Sequence, residues 1–250
     1  MKISTIMACY NSAATIGTAI ESFLAQDHAD KELIVIDGAS RDRTCEIVRS
    51  FDSPQITLVS EPDAGLYDAI NKGVMRATGD LVGLLHSDDR LAHPGVLSLI
   101  AAQFAASELD AVYADAAYFR AEAPDKLIRT YRSSYFRPDR LGWGWMPAHT
   151  TLFLRKEVFV RYGMYKGDYR IAADFEYVAR IFHSGGLRAV YIPQVLVHMQ
   201  DGGLSTGGLG AKLTINREVI RACRENGIAT NYLKILSKYP RKVMEYVYRQ

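Results

Sequence analysis

The sequence predicts an α/β fold in which a mostly parallel sheet is flanked by helices. In residues 1–110, short apolar runs alternate with stretches whose apolar residues recur at helical spacing. The stretches between the runs are long enough to form right-handed helical crossovers. Each run also ends in polar residues, the place where such sheets bind ligands. A helical C-terminal extension over residues 206–250 completes the predicted architecture.

Four strands and four helices are predicted in the first half of the chain. The strands are short buried runs at residues 3–8, 33–36, 56–59 and 81–85. The helices are predicted from apolar residues three or four positions apart, around residues 16–24, 40–51, 66–77 and 97–104. Pro94 lies where a proline can begin the last of these helices.

Composition argues against several classes of protein. Of the 250 residues, 48% are hydrophobic and 23% charged, as in ordinary globular domains. Cys9, Cys45 and Cys223 lack CxxC spacing, which argues against a disulfide framework or a structural zinc site. No apolar run approaches the length of a membrane span, and the first residues do not have the pattern of a signal peptide. We therefore expect a cytoplasmic protein.

Positive charge is concentrated in the C-terminal segment. Residues 212–250 hold nine Lys or Arg and three Glu, whereas the remainder of the chain has a net charge of −4. A basic segment with interspersed apolar residues can lie on an anionic membrane surface. It can equally be a solvated helical face that packs on the body of the protein. Peripheral association with the inner face of the membrane and simple packing therefore both remain open.

Polar side chains follow all four predicted strands, and three of the strands end in acids. Asn11 follows the first strand, Asp37 the second, Asp63 the third, and the adjacent Asp88 and Asp89 the fourth. A single Asp after a strand is usually a helix cap, but three acidic strand ends on one rim are harder to explain that way. Adjacent carboxylates repel each other unless a cation or hydrogen bonds compensate. The rim therefore suits Mg²⁺ or Mn²⁺, which bridge carboxylates and substrate phosphates.

Motifs along the chain resemble those of family 2 glycosyltransferases with a GT-A fold. They read IMACYN, SFLAQ, ELIVIDGASRD, EPDAGLYDAINKG and ATGD, in that order from residue 6 to residue 80. The version here is similar to bacterial enzymes that build O-antigen, capsule and exopolysaccharide repeat units. The resemblance implies a GT-A (Rossmann-like) domain over 1–205, divided into a nucleotide-sugar-binding half at 1–110 and an acceptor and catalytic half at 111–205. Residues 206–250 form the basic extension.

The resemblance implies donor-side roles for four residues of the first half. Asp37 resembles the carboxylate that hydrogen-bonds the nucleotide base, usually uracil, with helix capping as the alternative role. Ala8, Asn11 and Asp63 resemble lesser contacts of the nucleotide-sugar pocket, and a turn role is an alternative for Asn11 and Asp63.

The resemblance also implies a metal site. Asp88 and Asp89 match a DXD-type motif, in which the last Asp binds Mn²⁺ or Mg²⁺ and the preceding one lies near the ribose and donor sugar. His86 stands where the family often has a further Asp, so it is either a ligand or a neighbour of the motif. His198 resembles a His that completes the metal site or contacts the diphosphate, with a structural His as the alternative.

On the acceptor side, Asp174 matches the general base at the start of a helix, although Ala173 replaces the usual preceding Glu. An acid favoured by the helix dipole is the alternative reading of Asp174. Glu176 is the second choice, on a different face of the helix. His149 and Trp145 lie in a stretch rich in Gly and Trp that resembles a flexible acceptor-side loop, and a Trp-anchored core loop competes with this interpretation.

The expected function is inverting, metal-dependent transfer of a sugar from a nucleotide-diphosphate donor, expected to be a UDP-sugar. The expected acceptor is a glycan or a lipid-diphosphate-linked glycan of bacterial surface polysaccharide, and no nucleic acid is expected. A single base without a nucleophile partner predicts inversion. A sugar-phosphate nucleotidyltransferase is one alternative, although residues 10–14 lack the glycines and basic residues of a triphosphate loop. A non-catalytic nucleotide-sugar-binding or scaffold protein is the other.

Overall fold

The computed structural model describes residues 1–202 and 208–237. The strands in these residues are β1 (Ile3–Cys9), β2 (Lys31–Asp37), β3 (Ile56–Ser60), β4 (Leu81–Leu84), β5 (Arg90–Leu91), β6 (Ala111–Arg120), β7 (Ala123–Tyr131), β8 (Phe153–Arg155) and β9 (Ala189–Gln200). The helices are α1 (Ile16–Leu24), α2 (Thr44–Ser50), α3 (Leu66–Arg76), α4 (Val96–Ala106), α5 (Lys156–Tyr162), α6 (Ala173–His183), α7 (Gly208–Glu225) and α8 (Tyr232–Leu236). The four predicted strands and four predicted helices of the first half are confirmed.

The strands join in a single sheet of order β3-β2-β1-β4-β8-β6-β9-β5, with β7 paired to β6. β1 pairs in parallel with β2 and β4, and β2 with β3, as predicted. The second half is mixed, because β8 runs antiparallel to both β4 and β6 whereas β9 is parallel to β6. The chain order reverses between β1 and β4, which leaves a crevice outside the carboxyl ends of these strands.

Both faces of the sheet are covered. Along β1, Ile6 and Ala8 pack in a cluster that includes side chains of α3, α6 and α7. Their neighbours Met7 and Cys9 point to the opposite face and pack against α1 and α4. Since every β1 side chain is buried, β1 has a continuous apolar sequence rather than an alternating one.

A glycine lets α3 lie close to β1. A Cβ added at Gly73 would lie 2.3 Å from Cγ2 of Ile6, so a larger residue there would push the helix away from the sheet. The other end of α3 carries Tyr67, whose hydroxyl donates to the carbonyl of Ile171 just before α6. The close contact at Gly73 therefore helps to set the position of the helix that reaches α6.

The C-terminal extension is helical where it is described. α7 packs on α6 through buried residues such as Ala222 and Cys223, and Ile235 of α8 is fully buried. The predicted boundary at 205/206 and the basic residues of 238–250 lie outside the described part of the chain. Among the helices of residues 1–202 and 208–237, none is both long and apolar enough to cross a bilayer.

Candidate active site

The crevice lies where the ends of β1 and β4 meet. The hydroxyl of Ser87, which follows β4, donates to the hydroxyl of Ser12, which follows β1, over 2.9 Å. Ala8, predicted to contact the donor, is 7% exposed within β1 and packs in the core. The crevice is therefore formed by the residues that follow each strand rather than by the side chains of the strands.

Asn11 joins the ends of β1 and β2. Its backbone N–H donates to the Ser40 hydroxyl over 2.7 Å, and its Oδ1 accepts from the Arg41 N–H over 2.9 Å. Its φ of 50° and that of Ala39, 61°, are left-handed, a conformation that non-glycine residues adopt at a cost. Asn11 thus forms part of a turn, and its exposed position also leaves it at the rim of the crevice, where donor contact stays a prediction.

Asp37 is fully buried at the end of β2. Its carboxylate accepts hydrogen bonds from the Ser60 hydroxyl at 2.6 Å, the Cys45 thiol at 3.1 Å, and both the N–H and the hydroxyl of Ser40. Burial alone would raise the pKa of Asp37, but the bonds from Ser40, Ser60 and Cys45 outweigh it and hold the pKa below its usual value. These bonds give Asp37 a structural role at the end of β2, and its contact with the nucleotide base stays a prediction. The carboxylate organises the loop after β2.

Asp63 reaches over that loop. A Cβ added at Gly38 would lie 2.5 Å from Asp63 Oδ2, so the glycine makes room for the carboxylate. The other oxygen, Oδ1, accepts from the Gly65 N–H over 2.8 Å. Asp63 is half-buried, which leaves it more accessible than the fully buried Asp37. The donor contact of Asp63 also stays a prediction.

Asp89 has the electrostatic character of a cation ligand. It is 4% exposed and accepts a hydrogen bond from the Gln200 N–H over 3.1 Å. Burial and the negative charge of Asp88 raise the pKa of Asp89 well above its usual range. A nearby cation would favour the charged carboxylate, so this pair fits a divalent metal.

The protein itself supplies few ligands for such a metal. Within the described residues, no group of three His, Cys, Asp or Glu side chains is close enough to hold a metal ion. Mg²⁺ is commonly held by one or two carboxylates together with substrate phosphates and water, so Asp88 and Asp89 fit such a site. His198 lies on β9 opposite Arg90, and burial with the positive charges of Arg90 and His93 lowers its pKa.

Asp174 lies in the first turn of α6, with 23% of its side chain exposed. Its Oδ1 accepts from the Phe175 N–H over 2.8 Å, and the Tyr67 hydroxyl lies 3.5 Å from the same oxygen. Burial raises the pKa of Asp174 to about 6, against the opposing effect of the Phe175 hydrogen bond. An accessible carboxylate with a pKa near neutrality is suited to general-base catalysis.

Two histidines lie beside Asp174. His149 Nδ1 is 3.7 Å from Asp174 Oδ2, and His149 Nε2 is 2.9 Å from His86 Nε2. β8 pairs antiparallel with β4, and Val82 lies opposite Leu154. If this register is continued beyond the two strands, His86 lies opposite Thr150, the residue after His149. Sequence reasoning placed His86 and His149 on different sides of the reaction, whereas the structure brings them into contact.

The segment containing His149 is anchored rather than flexible. Thr150 and Thr151, which follow it in a short 3₁₀ turn, are fully buried. The Thr151 hydroxyl donates to the Ala114 carbonyl over 2.8 Å and accepts from the Ala114 N–H over 3.1 Å, which fastens the turn to β6. These contacts are those expected of an anchored loop, the competing interpretation of this stretch.

Trp145 faces another part of the surface. It lines a hollow of about 290 Å³ with Arg140, Trp143 and Ser237. The preceding Gly142 packs so closely on the segment after α7 that an added Cβ would lie 2.6 Å from the Ala229 carbonyl. The Trp loop is thus anchored to the C-terminal extension, which agrees with the competing interpretation, and the residues lining this hollow are not those around Asp174.

Glu176 has a structural position. Its side chain is fully buried, with Arg180 at 2.9 Å and Lys166 at 3.0 Å. An inaccessible carboxylate between two cations cannot reach an acceptor, so the structure does not bring Glu176 to the site with Asp174. Removing one partner of a buried ion pair is strongly destabilising, which explains the need for Glu176 without a catalytic role.

A residue of the extension supports Asp174, and sequence reasoning missed it. Glu218 of α7 accepts from the N–H groups of Arg170, Ile171 and Ala172 at 2.7–2.9 Å. The N-cap residue of α6, Ala172, makes no side-chain capping bond, and Glu218 binds the residues that lead into the helix. A charged side chain on another helix thereby holds the segment that carries Asp174.

A comparison with known sequences decides the family. The sequence profile described as Glycosyl transferase family 2 matches residues 4–163, more than half of the chain. The chain belongs to glycosyl transferase family 2. The predicted glycosyltransferase is thereby confirmed in preference to a nucleotidyltransferase or a non-catalytic scaffold protein.

Curated relatives of this glycosyltransferase come from several bacteria. It is 31% identical over 210 residues to a PGL/p-HBAD biosynthesis glycosyltransferase of Mycobacterium tuberculosis. The match covers 81% of this chain and 78% of the relative. It is 29% identical over 222 residues to the succinoglycan biosynthesis protein ExoO of Rhizobium meliloti, over 81% of this chain and 62% of ExoO.

Solved glycosyltransferases have a similar fold. S. aureus TarS 1–349 in complex with UDP-GlcNAc matches with a TM-score of 0.69 and 16% identity, over 89% of this chain and 66% of TarS 1–349. The mannosyltransferase PcManGT from Pyrobaculum calidifontis, in complex with GDP-Man and Mn²⁺, matches with a TM-score of 0.67 and 21% identity, over 90% of this chain and 63% of PcManGT. The glycosyltransferase thus spans about two thirds of these solved chains. The predicted GT-A fold is confirmed.

We expect Glu218→Ala to destabilise the glycosyltransferase by about 2 kcal/mol, because backbone N–H groups lose a charged hydrogen-bond acceptor. Urea denaturation followed by circular dichroism measures this change. Glu46→Ala is the control, since Glu46 is 69% exposed and its ion pair with Arg43 contributes little. Equal stabilities of the two variants would contradict the supporting role of Glu218.

Proposed function

We propose that this glycosyltransferase moves a sugar from a nucleotide-diphosphate donor to an acceptor hydroxyl with inversion, in the synthesis of a bacterial glycan. The observation that carries the proposal is Asp174, an accessible carboxylate whose pKa is raised to about 6. The names of the mycobacterial relative and of ExoO support a role in glycan biosynthesis. The UDP and GDP-Man complexes of the structural neighbours support a nucleotide-sugar donor, and we expect a UDP-sugar.

In the proposed reaction, Asp174 takes the proton of the acceptor hydroxyl as its oxygen attacks the anomeric carbon. The bond from that carbon to the diphosphate oxygen breaks on the opposite face, and its electron pair leaves with the nucleoside diphosphate. Asp37, Asp63, Asn11 and Asp88 are our candidates for donor contacts. Asp37 ends β2, and the other three follow β3, β1 and β4.

Asp89, with Asp88 and His198 as further candidates, would hold a divalent metal, Mn²⁺ or Mg²⁺. When bound, such a cation neutralises the diphosphate charge and so stabilises the leaving group. The Mn²⁺ in the PcManGT complex supports this part of the proposal. The buried Asp89 would have its charged form stabilised by the metal.

We expect Asp174→Asn to lower turnover at least about 100-fold, since the amide cannot accept a proton. The assay is release of nucleoside diphosphate from UDP-GlcNAc and GDP-mannose in Mn²⁺, with water or added glycans as acceptor. In the unsubstituted enzyme, kcat/KM should rise with pH through about 6, because below that pH Asp174 is protonated and cannot act as base. Asp168→Asn is the control, an exposed Asp that pairs with Arg221.

A fully active Asp174→Asn variant, or an acidic limb that persists in it, would reject Asp174 as the base. Release of pyrophosphate instead of nucleoside diphosphate would reject sugar transfer itself. The results for Asp174→Asn concern one residue, whereas release of pyrophosphate concerns the type of reaction, so the two failures can be told apart.

We expect Asp89→Asn to weaken Mn²⁺-dependent binding of UDP at least about tenfold, since the metal loses its buried carboxylate. Isothermal titration with UDP, in Mn²⁺ and in EDTA, measures this loss. Only the affinity in Mn²⁺ should fall. Asp139→Asn, an exposed change on a 3₁₀ turn, is the control. An unchanged Mn²⁺-dependent affinity would exclude Asp89 as the metal ligand.

The lipid-linked acceptor and peripheral membrane association are proposals that rest on the C-terminal extension. Tyr232, Leu233 and Leu236 of α8 are 54%, 81% and 46% exposed, beside Trp143 at 42%. An exposed apolar patch next to a basic segment is typical of a surface that lies on anionic lipid. We infer that α8 faces the membrane on which a lipid-linked glycan would be extended.

We expect Leu233→Glu to weaken binding to vesicles of anionic phospholipid about tenfold, because it removes an apolar contact and adds a repelled charge. Sedimentation of the full-length chain with the vesicles measures this. Val160→Glu is the matched control, because Val160 is 84% exposed on α5. Equal binding of both variants would reject α8 as the membrane-facing surface.

A further inference from the structure

Three side chains form a continuous row of polar contacts from the end of β4 to α6. His86 Nε2 and His149 Nε2 are 2.9 Å apart, a hydrogen-bond distance. His149 Nδ1 and Asp174 Oδ2 are 3.7 Å apart, somewhat beyond one. Catalytic hydrogen bonds are often long until substrate binds and then tighten. The row therefore links the segment that carries Asp88 and Asp89 to the proposed base.

The geometry determines which nitrogen of His149 carries a hydrogen. Burial lowers the pKa of His149 to about 4, so near pH 7 the ring is neutral and has one N–H and one bare nitrogen. Nδ1 faces a carboxylate oxygen, which only accepts hydrogen bonds when ionised. A bare Nδ1 would bring two lone pairs together, so Nδ1 carries the hydrogen.

The same reasoning determines the contact with His86. With its hydrogen on Nδ1, neutral His149 has a bare Nε2, which accepts. His86 Nε2 must therefore donate across the 2.9 Å contact. The hydrogen bond from His86 to His149 and the longer contact from His149 to Asp174 then point the same way. In such a row each ring fixes the tautomer of the next.

We propose that His149 is a positioning residue whose Nδ1–H holds the Asp174 carboxylate, and that His86 keeps His149 in the tautomer this requires. The proposal rests on the role of Asp174 as general base. A donor on Oδ2 favours the ionised carboxylate, the form that accepts a proton. It also fixes the rotation of the carboxylate, because Oδ1 is already held by the Phe175 N–H at 2.8 Å.

The anchored turn makes His149 suitable for this role. The buried residues that follow it are fastened to β6, and the Ala148 N–H before it donates to the Ser133 hydroxyl over 3.0 Å. The chain is therefore held in place both before and after His149. A positioning group held in this way keeps its partner in a productive geometry.

Asn and Gln substitutions separate this role from simple packing. The amide N–H of Asn lies near the place of Nδ1 of a His, and that of Gln near the place of Nε2. At position 149, Asn can still donate to Asp174 and Gln cannot. At position 86 the contact is made by Nε2, so Gln can still donate to His149 and Asn cannot. The proposal therefore predicts opposite orders at the two positions.

We expect His149→Asn to keep at least about tenfold more kcat than His149→Gln, and His86→Gln to keep at least about tenfold more than His86→Asn. Turnover is release of nucleoside diphosphate from UDP-GlcNAc or GDP-mannose in Mn²⁺. Mn²⁺-dependent binding of UDP, measured in parallel, should change much less than kcat. The same order at both positions, or Gln better than Asn at 149, would overturn the proposal.

Nuclear magnetic resonance of the imidazole nitrogens reads the tautomers directly and needs no turnover. The full-length chain should have its His149 hydrogen on Nδ1 and its His86 hydrogen on Nε2, with signals assigned from the His149→Gln and His86→Gln spectra. A hydrogen on Nε2 of His149 overturns the proposal. An active Asp174→Asn variant rejects the base itself, whereas an inactive one with the wrong tautomer rejects only the role of His149.

Discussion

The antiparallel pairing of β4 with β8 is the constraint on which the active site depends. β4 ends the parallel part of the sheet, and β8 is the strand through which the second half of the chain joins it. Their register pairs Leu81 with Arg155 and Val82 with Leu154. A slip of one residue would turn these buried side chains to the wrong face, so the register is strongly specified. The segment that follows β4 and the segment that precedes β8 consequently meet beyond the same ends of these two strands.

The base is held by parts of the chain that are distant in sequence. Tyr67 of α3 binds the carbonyl of Ile171 just before α6, and Glu218 of α7 binds the N–H groups there. Three consecutive N–H groups leading into α6 thereby have a charged acceptor on another helix. The extension is thus part of the structure that supports Asp174, in addition to any contact it makes with a membrane.

Three Asp side chains of this protein differ in the direction in which their pKa values are shifted. Asp37 is buried with many hydrogen-bond donors and has a lowered pKa, whereas Asp89 is buried beside Asp88 and has a raised one. Asp174 also has a raised pKa, of about 6. Burial opposes the charged form and hydrogen bonds favour it, so the balance of donors around each group decides the result. The position of an Asp at a strand end does not by itself predict that balance.

Four parallel strands, their helices and the acids at the strand ends could all be predicted from the sequence. These features follow from apolar periodicity, which is local, and from the rule that places ligands at carboxyl ends. Motif resemblance then indicated the family and Asp174. The folded structure was needed to show that Asp63 is more accessible than Asp37. It was also needed to show that His86 contacts His149 across 63 positions of the chain. Those contacts depend on the pairing of distant strands and on the packing of α7, which local periodicity does not encode.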